Sequence, residues 1–529
     1  MKKIIALVFL SGLLSYVNAG PGPKRPKQED KALSAEVISK IRKEGLENSK
    51  VMEYAFRLTD VSGPRLTVSP GFIRAANWAK ATLTDIGLEN ARLEAWGEFG
   101  KGWEMEKCYV AMKAPYYAPI IAMPKVWTVS TPADLTQQVI LVKAQDSTTF
   151  RAEYAGKLKG KIVMMEMFDT LSPSFSADGS RYDEETLEKM ARSEPVIRNN
   201  PDFRIGPDMA QRFQRMNLQR RVMSLIDKEE PALILSMNAR GNDGTIFVQG
   251  GGSYQSGTPD APANVVIGTD EYLRMQRLIN AGIPVTLEAD VRTRTLTDDM
   301  NGYNVLAEIP GTDPKLTDEV VMLGAHIDSW HGSTGATDNA AGTSVMIEAV
   351  RILKAAGLQP RRTIKIALWS GEEQGLYGSR NWVKSNLADP ADMKLLPMHE
   401  KVSAYFNLDN GTGRIRGIYT QGNKEIMPIF QEWLKPFEDL DAKTVTVNNT
   451  GGTDHQSFDA VGVPGFQFIQ DGIEYNTRTH HTNMDSYDHL IPEDLKQAAT
   501  IIAAFVYNAA QRNEKLPRKE LPKARASRR

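Results

Sequence analysis

Short apolar runs typical of buried strands alternate with helical patterns from about residue 301 onward. The four runs are residues 319–323, 363–369, 402–406 and 465–469. Between the first two runs a helix is predicted, because apolar residues recur at helical spacing before Gly357: Val345, Met346, Ala349, Val350 and Leu353. Alternating strands and helices predict an α/β fold, a three-layer sandwich around a mainly parallel sheet.

The chain before residue 301 divides into two patterns. Residues 33–124 are mostly helical up to about residue 96 and are predicted to be the first part of the α/β domain. Residues 125–292 hold short β-like runs at 138–142, 161–165 and 232–235, with a charged helical insertion near 184–228. We therefore expect a separate β-rich domain at 125–292, and the rest of the α/β domain at 293–512.

The first residues of the chain resemble an export signal. Lys2 and Lys3 precede an apolar run at 4–17, and small residues end at Ala19. This order predicts a signal peptide at 1–19, export to the periplasm or the medium, and no stable membrane insertion after cleavage. Residues 20–32 are predicted to be a disordered lead-in, and residues 513–529 a basic, disordered tail.

The charge of the chain excludes one class of partner. Sixty-four basic and 65 acidic side chains leave a net charge of −1, and 41% of the residues are hydrophobic. This composition is typical of a globular protein. A balanced charge gives no bulk attraction to nucleic acid, so no nucleic-acid partner is expected.

Carboxylates and imidazoles follow each predicted strand of the α/β domain. Because the carboxyl ends of parallel strands meet at one edge of a sheet, these side chains are expected to gather there. Each of them alone is more typical of a structural residue, but their joint placement predicts a metal site. The candidates are His326, Asp328, Asp338, Glu372, Glu373, Asp409, His480 and His481.

The donor types indicate the metal. Imidazoles and carboxylates without thiolates suit Zn²⁺, and Co²⁺ or Mn²⁺ is compatible with the same donors. The ends of the strands offer five potential ligands in order, two histidines and three carboxylates, which exceed the three protein ligands of a usual catalytic zinc. Two Zn²⁺ ions that share a bridging carboxylate would use all five.

Several motifs resemble those of the co-catalytic di-zinc aminopeptidases and the plasma glutamate carboxypeptidase-like metallopeptidases. They begin at His326, Asp338, Gly371, Leu408 and His481, in this order, and read His-Ile-Asp-Ser, Asp-Asn-Ala-Ala-Gly, Gly-Glu-Glu-Gln-Gly-Leu-Tyr-Gly-Ser, Leu-Asp and His-Thr. The resemblance spans about 301–512 and resumes at Ser-Gly-Pro-Arg-Leu, residues 62–66. The β-rich segment resembles a protease-associated domain, which this family inserts into its peptidase fold.

The resemblance implies a role for each site residue. Asp338 would bridge two ions, with His326 and Asp409 completing one site, and Glu373 and His481 the other. The bond between Asp338 and Asn339 would be cis. Either His480 or His481 could be a ligand, and family spacing to Asp485 selects His481.

The resemblance also implies the residues that act beside the ions. Glu372 would be the general base that takes a proton from the attacking water. Asp328 would hydrogen-bond the imidazole of His326. His455 would either help to bind the oxyanion or be a structural histidine.

The predicted function is an exported di-zinc metallo-exopeptidase that hydrolyses short peptides, as an aminopeptidase or a dipeptidase. A carboxypeptidase-type exopeptidase is the alternative, and Arg478 is then a candidate for carboxylate binding. A glutaminyl cyclase or a non-catalytic binding protein of the same fold would have fewer ligands than the five found here. The protease-associated domain could be a lid, a filter for substrate size or the surface of a homodimer.

Overall fold

The strands of the protein form two sheets of eight strands each in the computed structural model, which describes residues 32–168, 171–194, 207–238 and 240–524. The predicted signal peptide and the lead-in up to residue 31 lie outside the described residues. In chain order the strands are β1 Glu89–Glu98, β2 Gly102–Ala114, β3 Ala118–Pro119, β4 Ala122–Pro124, β5 Leu135–Val142, β6 Ile162–Met165, β7 Leu233–Ser236, β8 Asn264–Ile267, β9 Thr286–Leu296, β10 Asn301–Ile309, β11 Val320–His326, β12 Thr363–Trp369, β13 Val402–Asn407, β14 Ile415–Tyr419, β15 Thr444–Thr446 and β16 Gly465–Gln470.

The helices lie between these strands. In chain order they are α1 Ala35–Arg42, α2 Val51–Phe56, α3 Pro70–Asp85, α4 Ser147–Glu153, α5 Glu184–Ala191, α6 Pro207–Lys228, α7 Thr269–Asn280, α8 Ala341–Ala355, α9 Tyr377–Asn386, α10 Met427–Leu434, α11 His455–Asp459 and α12 Pro492–Gln511. Helix α3 shows how the sequence starts a helix: the side chain of Ser69 accepts from the N–H of Phe72 (3.2 Å), and Pro70 occupies the first turn. No helix in the described ranges is long and apolar enough to span a membrane.

The first sheet is the frame of the predicted α/β domain. Its strand order is β1-β10-β12-β11-β13-β16-β14-β15, and the central strands β12, β11, β13 and β16 are parallel. Antiparallel pairing joins β1 and β10 at one side and β14 at the other. The four predicted strands are confirmed as this parallel centre, and the predicted α/β class is confirmed. The antiparallel flanks make the sheet mixed.

Alternate residues of the central strands face two separate cores. Val321 and Leu323 of β11 pack with helices α2, α3, α8 and α12 in the larger core. Val320 and Met322 face the other side, where α9 and α11 contribute Trp382 and other apolar residues. Since successive side chains of a strand point to opposite faces, this two-sided burial gives the predicted three layers.

The second sheet belongs to the β-rich part of the chain. Its order is β3-β2-β9-β5-β6-β7-β8-β4, and β5, β6, β7 and β8 are parallel. A further core lies against it, with Leu287, Ile162 and Leu235 among its buried residues. The long strands β2 and β9 pair with each other, so this sheet begins at Gly102, before the predicted boundary at residue 125. The segment at 89–98, which was expected to end a helical region, is strand β1.

The predicted basic tail is packed rather than free over its described part, residues 513–524. Leu516 is 2% exposed, and its N–H donates to the hydroxyl of Ser403 (3.1 Å). Two basic side chains donate to backbone carbonyls, Arg518 to that of Val402 (2.8 Å) and Lys519 to that of Gln421 (2.7 Å). The expectation of a disordered tail was wrong here, because one apolar side chain and these hydrogen bonds hold the segment against the α/β domain.

Candidate metal centre

The predicted ligands meet at the carboxyl edge of the first sheet. His326 is the last residue of β11, Glu373 follows β12, and Asp409 follows β13. Because β11, β12 and β13 are parallel, their ends lie side by side. Asp338 comes from the segment that leads into α8, and His481 from the loop between β16 and α12.

Asp338 lies between two imidazoles and faces each with a different oxygen. Its Oδ1 is 3.3 Å from Nε2 of His326, and its Oδ2 is 3.1 Å from Nε2 of His481. Nε2 of His326 is also 3.3 Å from Oδ1 of Asp409. Nε2 of His481 is 2.9 Å from Oε2 of Glu373. The five side chains therefore form two adjacent groups of donors that share one carboxylate.

These donors fit a metal ion. Four of their atoms are buried and make no hydrogen bond within the described part of the chain: Nε2 of His326, Oδ2 of Asp338, Oε1 of Glu373 and Oδ1 of Asp409. Buried polar atoms without a partner are costly, whereas ions held by imidazole and carboxylate would satisfy them. The geometry also brings His326, Asp338 and Asp409 close enough to hold one ion together.

The backbone beside Asp338 is held by neighbouring elements. The peptide bond between Asp338 and Asn339 is cis, as the family resemblance implied. The side chain of Asn339 donates to the carbonyl of Leu408 (2.9 Å) and accepts from the N–H of Gly342 (2.9 Å), so it links the first turn of α8 to the segment after β13. A side chain at Gly342 would put its Cβ 2.3 Å from the carbonyl oxygen of Leu408, which requires glycine there.

Asp328 contacts both the imidazole and the loop that carries Glu372. Nδ1 of His326 is 3.0 Å from the backbone oxygen of Asp328 and 3.6 Å from its carboxylate. The carboxylate accepts from the N–H groups of Glu372 (3.3 Å) and Glu373 (3.4 Å) and from the hydroxyl of Thr67 (3.1 Å). Asp328 therefore fixes the ring mainly through its carbonyl, and its side chain holds the two adjacent glutamates.

The remaining polar residues of the edge hold the loops. Asp485 does not contact the ring of His481. Its carboxylate accepts from the N–H groups of Thr337 (2.6 Å) and Asp338 (3.1 Å). His480 lies farther from the bridge, with Nε2 3.7 Å from Oδ2 of Asp338. The shorter contacts of His481 favour it over His480 as the ligand, in agreement with the family spacing.

Arg65 stabilises the loop between β11 and Asp338 by hydrogen bonds to its backbone. Its fully buried guanidinium donates to the carbonyls of Ile327 (2.7 Å), Gly335 (2.8 Å), Leu58 (3.0 Å) and Thr334 (2.5 Å). The residue belongs to the motif at 62–66 that the resemblance singled out. Its planar set of donors suits several acceptors at once, which explains an arginine at this position.

Glu372 lines the same cleft as the predicted ligands. The cleft has a volume of about 610 Å³, and Glu372, Glu373, Asp338, Asp409 and His481 are among its lining residues. Burial raises the pKa of Glu372 well above its usual 4.5, and nearby carboxylates, such as Asp409, raise it further. A carboxylate of raised pKa next to a metal centre is suited to accept and return a proton.

Two candidates from the sequence lie apart from the cleft. His455 is fully buried, and its Nε2 is 3.2 Å from the carbonyl oxygen of Thr450. Its role at the oxyanion stays a prediction. Arg478 pairs with Asp178 (2.7 Å) and is not among the residues that line the cleft.

Sequence reasoning missed two residues near the donors. Arg380 lines both the cleft and an adjacent cavity of about 430 Å³. Its side chain is exposed and pairs with no carboxylate of the described residues. Gln249, from the β-rich part, lies 3.0 Å from the ring of His481. Neither belongs to a motif, and only the fold reveals their proximity.

Zinc affinity is expected to rise with pH between about pH 6 and 8. Without metal, burial and the charge of Asp338 raise the pKa of Glu373 to about 7. Burial alone would lower the pKa of His481, but Glu373 and Asp338 raise it to about 10. Both groups hold protons at low pH, and a bound ion must displace them. Competition with a chromophoric chelator at several pH values measures this, and a constant affinity would contradict it.

The part of the chain that contains this edge of the sheet is similar to known proteins. Residues 304–506 match the family described as peptidase family M28. Carboxypeptidase Q of Pongo abelii is 24% identical over 487 residues, which cover 92% of this chain and 90% of that protein. Aminopeptidase YwaD of Bacillus subtilis (strain 168) is 31% identical over 217 residues, 40% of this chain and 45% of that protein.

The fold has been observed before. The crystal structure of a peptidase M28 precursor from Shewanella amazonensis SB2B superposes with a TM-score of 0.64 at 23% sequence identity. The superposition covers 92% of this chain and 98% of that chain, so both sheets have counterparts in one known arrangement.

Proposed function

We propose that the chain, whose residues 304–506 match peptidase family M28, is a di-zinc exopeptidase that cleaves short peptides. One observation carries the proposal: the two oxygens of Asp338 face two imidazoles, each of which also faces a second carboxylate. His326, Asp338 and Asp409 would hold one ion, and Asp338, Glu373 and His481 the other. All five donors and Glu372 are present, which argues against a non-catalytic protein or a cyclase with fewer ligands.

The chain's own residues supply the proton chemistry. When bound, two zinc ions would lower the pKa of a water and polarise the scissile carbonyl. Glu372 takes a proton from the attacking water and delivers it to the leaving amine. Asp328 holds the N–H groups of Glu372 and Glu373, which keeps the base and the ligand fixed relative to each other. The positioned base then needs no rearrangement between the two proton transfers.

An aminopeptidase or dipeptidase is the favoured type. The cleft is rich in carboxylates, with Glu372, Glu373, Asp338 and Asp409 among its lining residues. Bound ions would neutralise part of this charge, and the remainder favours a substrate with a free amine. The names of the relatives include both an aminopeptidase and a carboxypeptidase, so the end of the peptide that is recognised is a separate question.

One dipeptide in three forms tests the type of exopeptidase. Purified protein loaded with zinc is assayed on the free dipeptide, its N-acetylated form and its C-amidated form, with and without a chelator. We expect chelator-sensitive cleavage that is lost with the N-acetylated form. Loss with the amidated form alone would assign a carboxypeptidase-type enzyme. If none of the three forms is cleaved, the proposed exopeptidase activity is contradicted, and a glutaminyl cyclase or a non-catalytic binding protein is favoured instead.

The carboxypeptidase-type alternative has one observation in its favour, the exposed guanidinium of Arg380 in the cleft. If Arg380 binds the substrate's carboxylate, Arg380→Ala raises KM for the free dipeptide by roughly 10-fold, the loss of one charge-assisted hydrogen bond. KM for the C-amidated form would not change. Lys384→Ala, on the same helix, is the control because Lys384 already pairs with Asp389 (3.0 Å). Equal effects on both substrates would contradict carboxylate binding.

We also propose that the protein is exported. The support is the sequence at 1–19, with two lysines, an apolar run and small residues before residue 20. A homodimer through the β-rich part stays a prediction. Cell fractionation tests the first proposal, and light scattering of the purified protein tests the second.

A further inference from the structure

A short segment of the β-rich part of the chain lies beside the proposed metal centre. Residues 246–249, between β7 and β8, lie against the loop that carries His481. The N–H of Val248 donates to the carbonyl of His481 (3.1 Å), and the N–H of Asn483 donates to the carbonyl of Ile246 (3.2 Å). Phe247 and Thr482 form an antiparallel bridge between these two hydrogen bonds. The segment and the loop therefore pair like two short strands.

This pairing holds His481 in an unusual conformation. Its φ of 60° is left-handed, a region that residues with a side chain seldom adopt. Aromatic rings flank its imidazole, with ring centres 5.5 Å away for Phe247 and 6.2 Å away for Trp330. The ring is thus fixed by contacts from both parts of the chain.

Gln249 occupies the side of the imidazole that faces away from the other donors. Its amide nitrogen lies 3.0 Å from Nδ1 of His481, while Nε2 of that ring faces Asp338 and Glu373. The described residues contain no other hydrogen-bond partner for Nδ1. The contact joins residues that are 232 positions apart in the chain.

We propose that Gln249 is a positioning residue that sets the orientation and the protonated nitrogen of His481 for metal binding. The inference rests on the proposed two-ion centre. An imidazole that binds an ion through Nε2 carries its proton on Nδ1 and donates it to a neighbour. Through its β-rich part the chain therefore completes the environment of a ligand that belongs to the peptidase fold.

An amide suits both states of this ring. When the ring proton is on Nε2, the amide N–H of Gln249 donates to Nδ1. When an ion takes Nε2 and the proton is on Nδ1, a half-turn of the amide presents its oxygen as the acceptor. A carboxylate at this position could accept but not donate, so it would favour the ion-binding form alone.

Two substitutions at residue 249 separate the hydrogen bond from packing. Gln249→Met keeps the length of the side chain and removes the hydrogen bond. It should lower the affinity for one of the two zinc ions by roughly 10–100-fold. Gln249→Glu restores an acceptor and should bind that ion at least as tightly as the unchanged protein. Gln255→Ala is the matched control, since this glutamine is exposed in the same part of the chain.

The experiment measures metal binding rather than turnover. Metal-free protein is titrated with Zn²⁺ against a chromophoric chelator, and with Co²⁺ while its absorption spectrum is recorded. Thermal unfolding of the metal-free forms checks that each variant folds. For Gln249→Met we expect lower affinity in one of the two binding steps of the titration and a changed Co²⁺ spectrum for that step. Gln249→Glu should restore the affinity and the spectrum.

Different failures have different meanings. Unchanged zinc binding by Gln249→Met would overturn the role of Gln249 and leave the two-ion centre intact. Equal weakening by Gln249→Met and Gln249→Glu would show a packing role and would also overturn it. Absence of zinc binding by the unchanged protein would instead overturn the proposed centre, and the inference with it.

Discussion

Glu372→Gln is expected to retain both metal ions and to lose kcat by roughly 10²–10⁴-fold, the usual contribution of a general base. Glutamine keeps the size of the side chain and its place in the cleft, but its amide cannot take a proton from water. The donors of the metal centre, in contrast, remain unchanged. The measurement combines steady-state kinetics with metal content after dialysis.

The neighbouring glutamate provides the control for this prediction. Oε2 of Glu373 is 2.9 Å from Nε2 of His481, so Glu373 belongs to the donors. Glu373→Gln should therefore lose metal as well as turnover, although the two substitutions are chemically identical and adjacent. Near-normal kcat in Glu372→Gln with full metal content would rule out the assigned base. Equal metal loss in both variants would make Glu372 a ligand instead.

Asp338→Ala is expected to abolish turnover together with tight binding of both ions. Its two oxygens lie 3.3 Å and 3.1 Å from Nε2 of His326 and His481, so removing the carboxylate takes one donor from each group. Each remaining group then has one imidazole and one carboxylate, fewer than the three protein ligands that a catalytic zinc usually has. Metal content after dialysis and zinc titration measure the loss.

Thermal unfolding adds an independent measurement of the same prediction. A chelator should lower the Tm of the unchanged protein, because bound metal stabilises the native state by mass action. It should not lower the Tm of Asp338→Ala. Asp318→Ala is the control, since that side chain is 80% exposed and far from the cleft in the fold, at the start of β11. One tightly held ion in Asp338→Ala would show that the carboxylate does not bridge.

The sequence predicted the parallel centre of the first sheet well, because buried strands leave apolar runs such as residues 320–323. The flanks were harder. Strand β1 is half-exposed and mixes charged and apolar residues, so its pattern resembles the end of a helical region. The polar residues at the strand ends were also predictable, since parallel strands bring their carboxyl ends to one edge. Their assignment to individual ions came from the family resemblance.

Contacts between distant parts of the chain could not be predicted in this way. Gln249 has no motif, and its partner His481 is brought to it by the pairing of two loops. Arg380 follows a recognisable motif on α9, but a sequence does not show that its side chain reaches the cleft. Asp328 was expected to hydrogen-bond the imidazole of His326, but the sequence did not show that its carbonyl oxygen, rather than its carboxylate, makes the shorter contact. A residue such as Asp328 has both a carbonyl and a carboxylate that can accept hydrogen bonds. Which donor each of them meets depends on the folded structure.

The buried Arg65 affects the order in which the molecule can be assembled. The hydrogen bond from its guanidinium to the carbonyl of Ile327 cannot form until Ile327 has been synthesised. Ile327 lies 262 residues later in the chain, after the whole β-rich part. Without Arg65 the carbonyls of Ile327, Thr334 and Gly335 would lose a donor, and each buried unpaired group costs about 1–3 kcal/mol. Residues 304–506 therefore lack one of the side chains that hold the loop before Asp338, and this loop needs Arg65, from the start of the chain, to complete its hydrogen bonds.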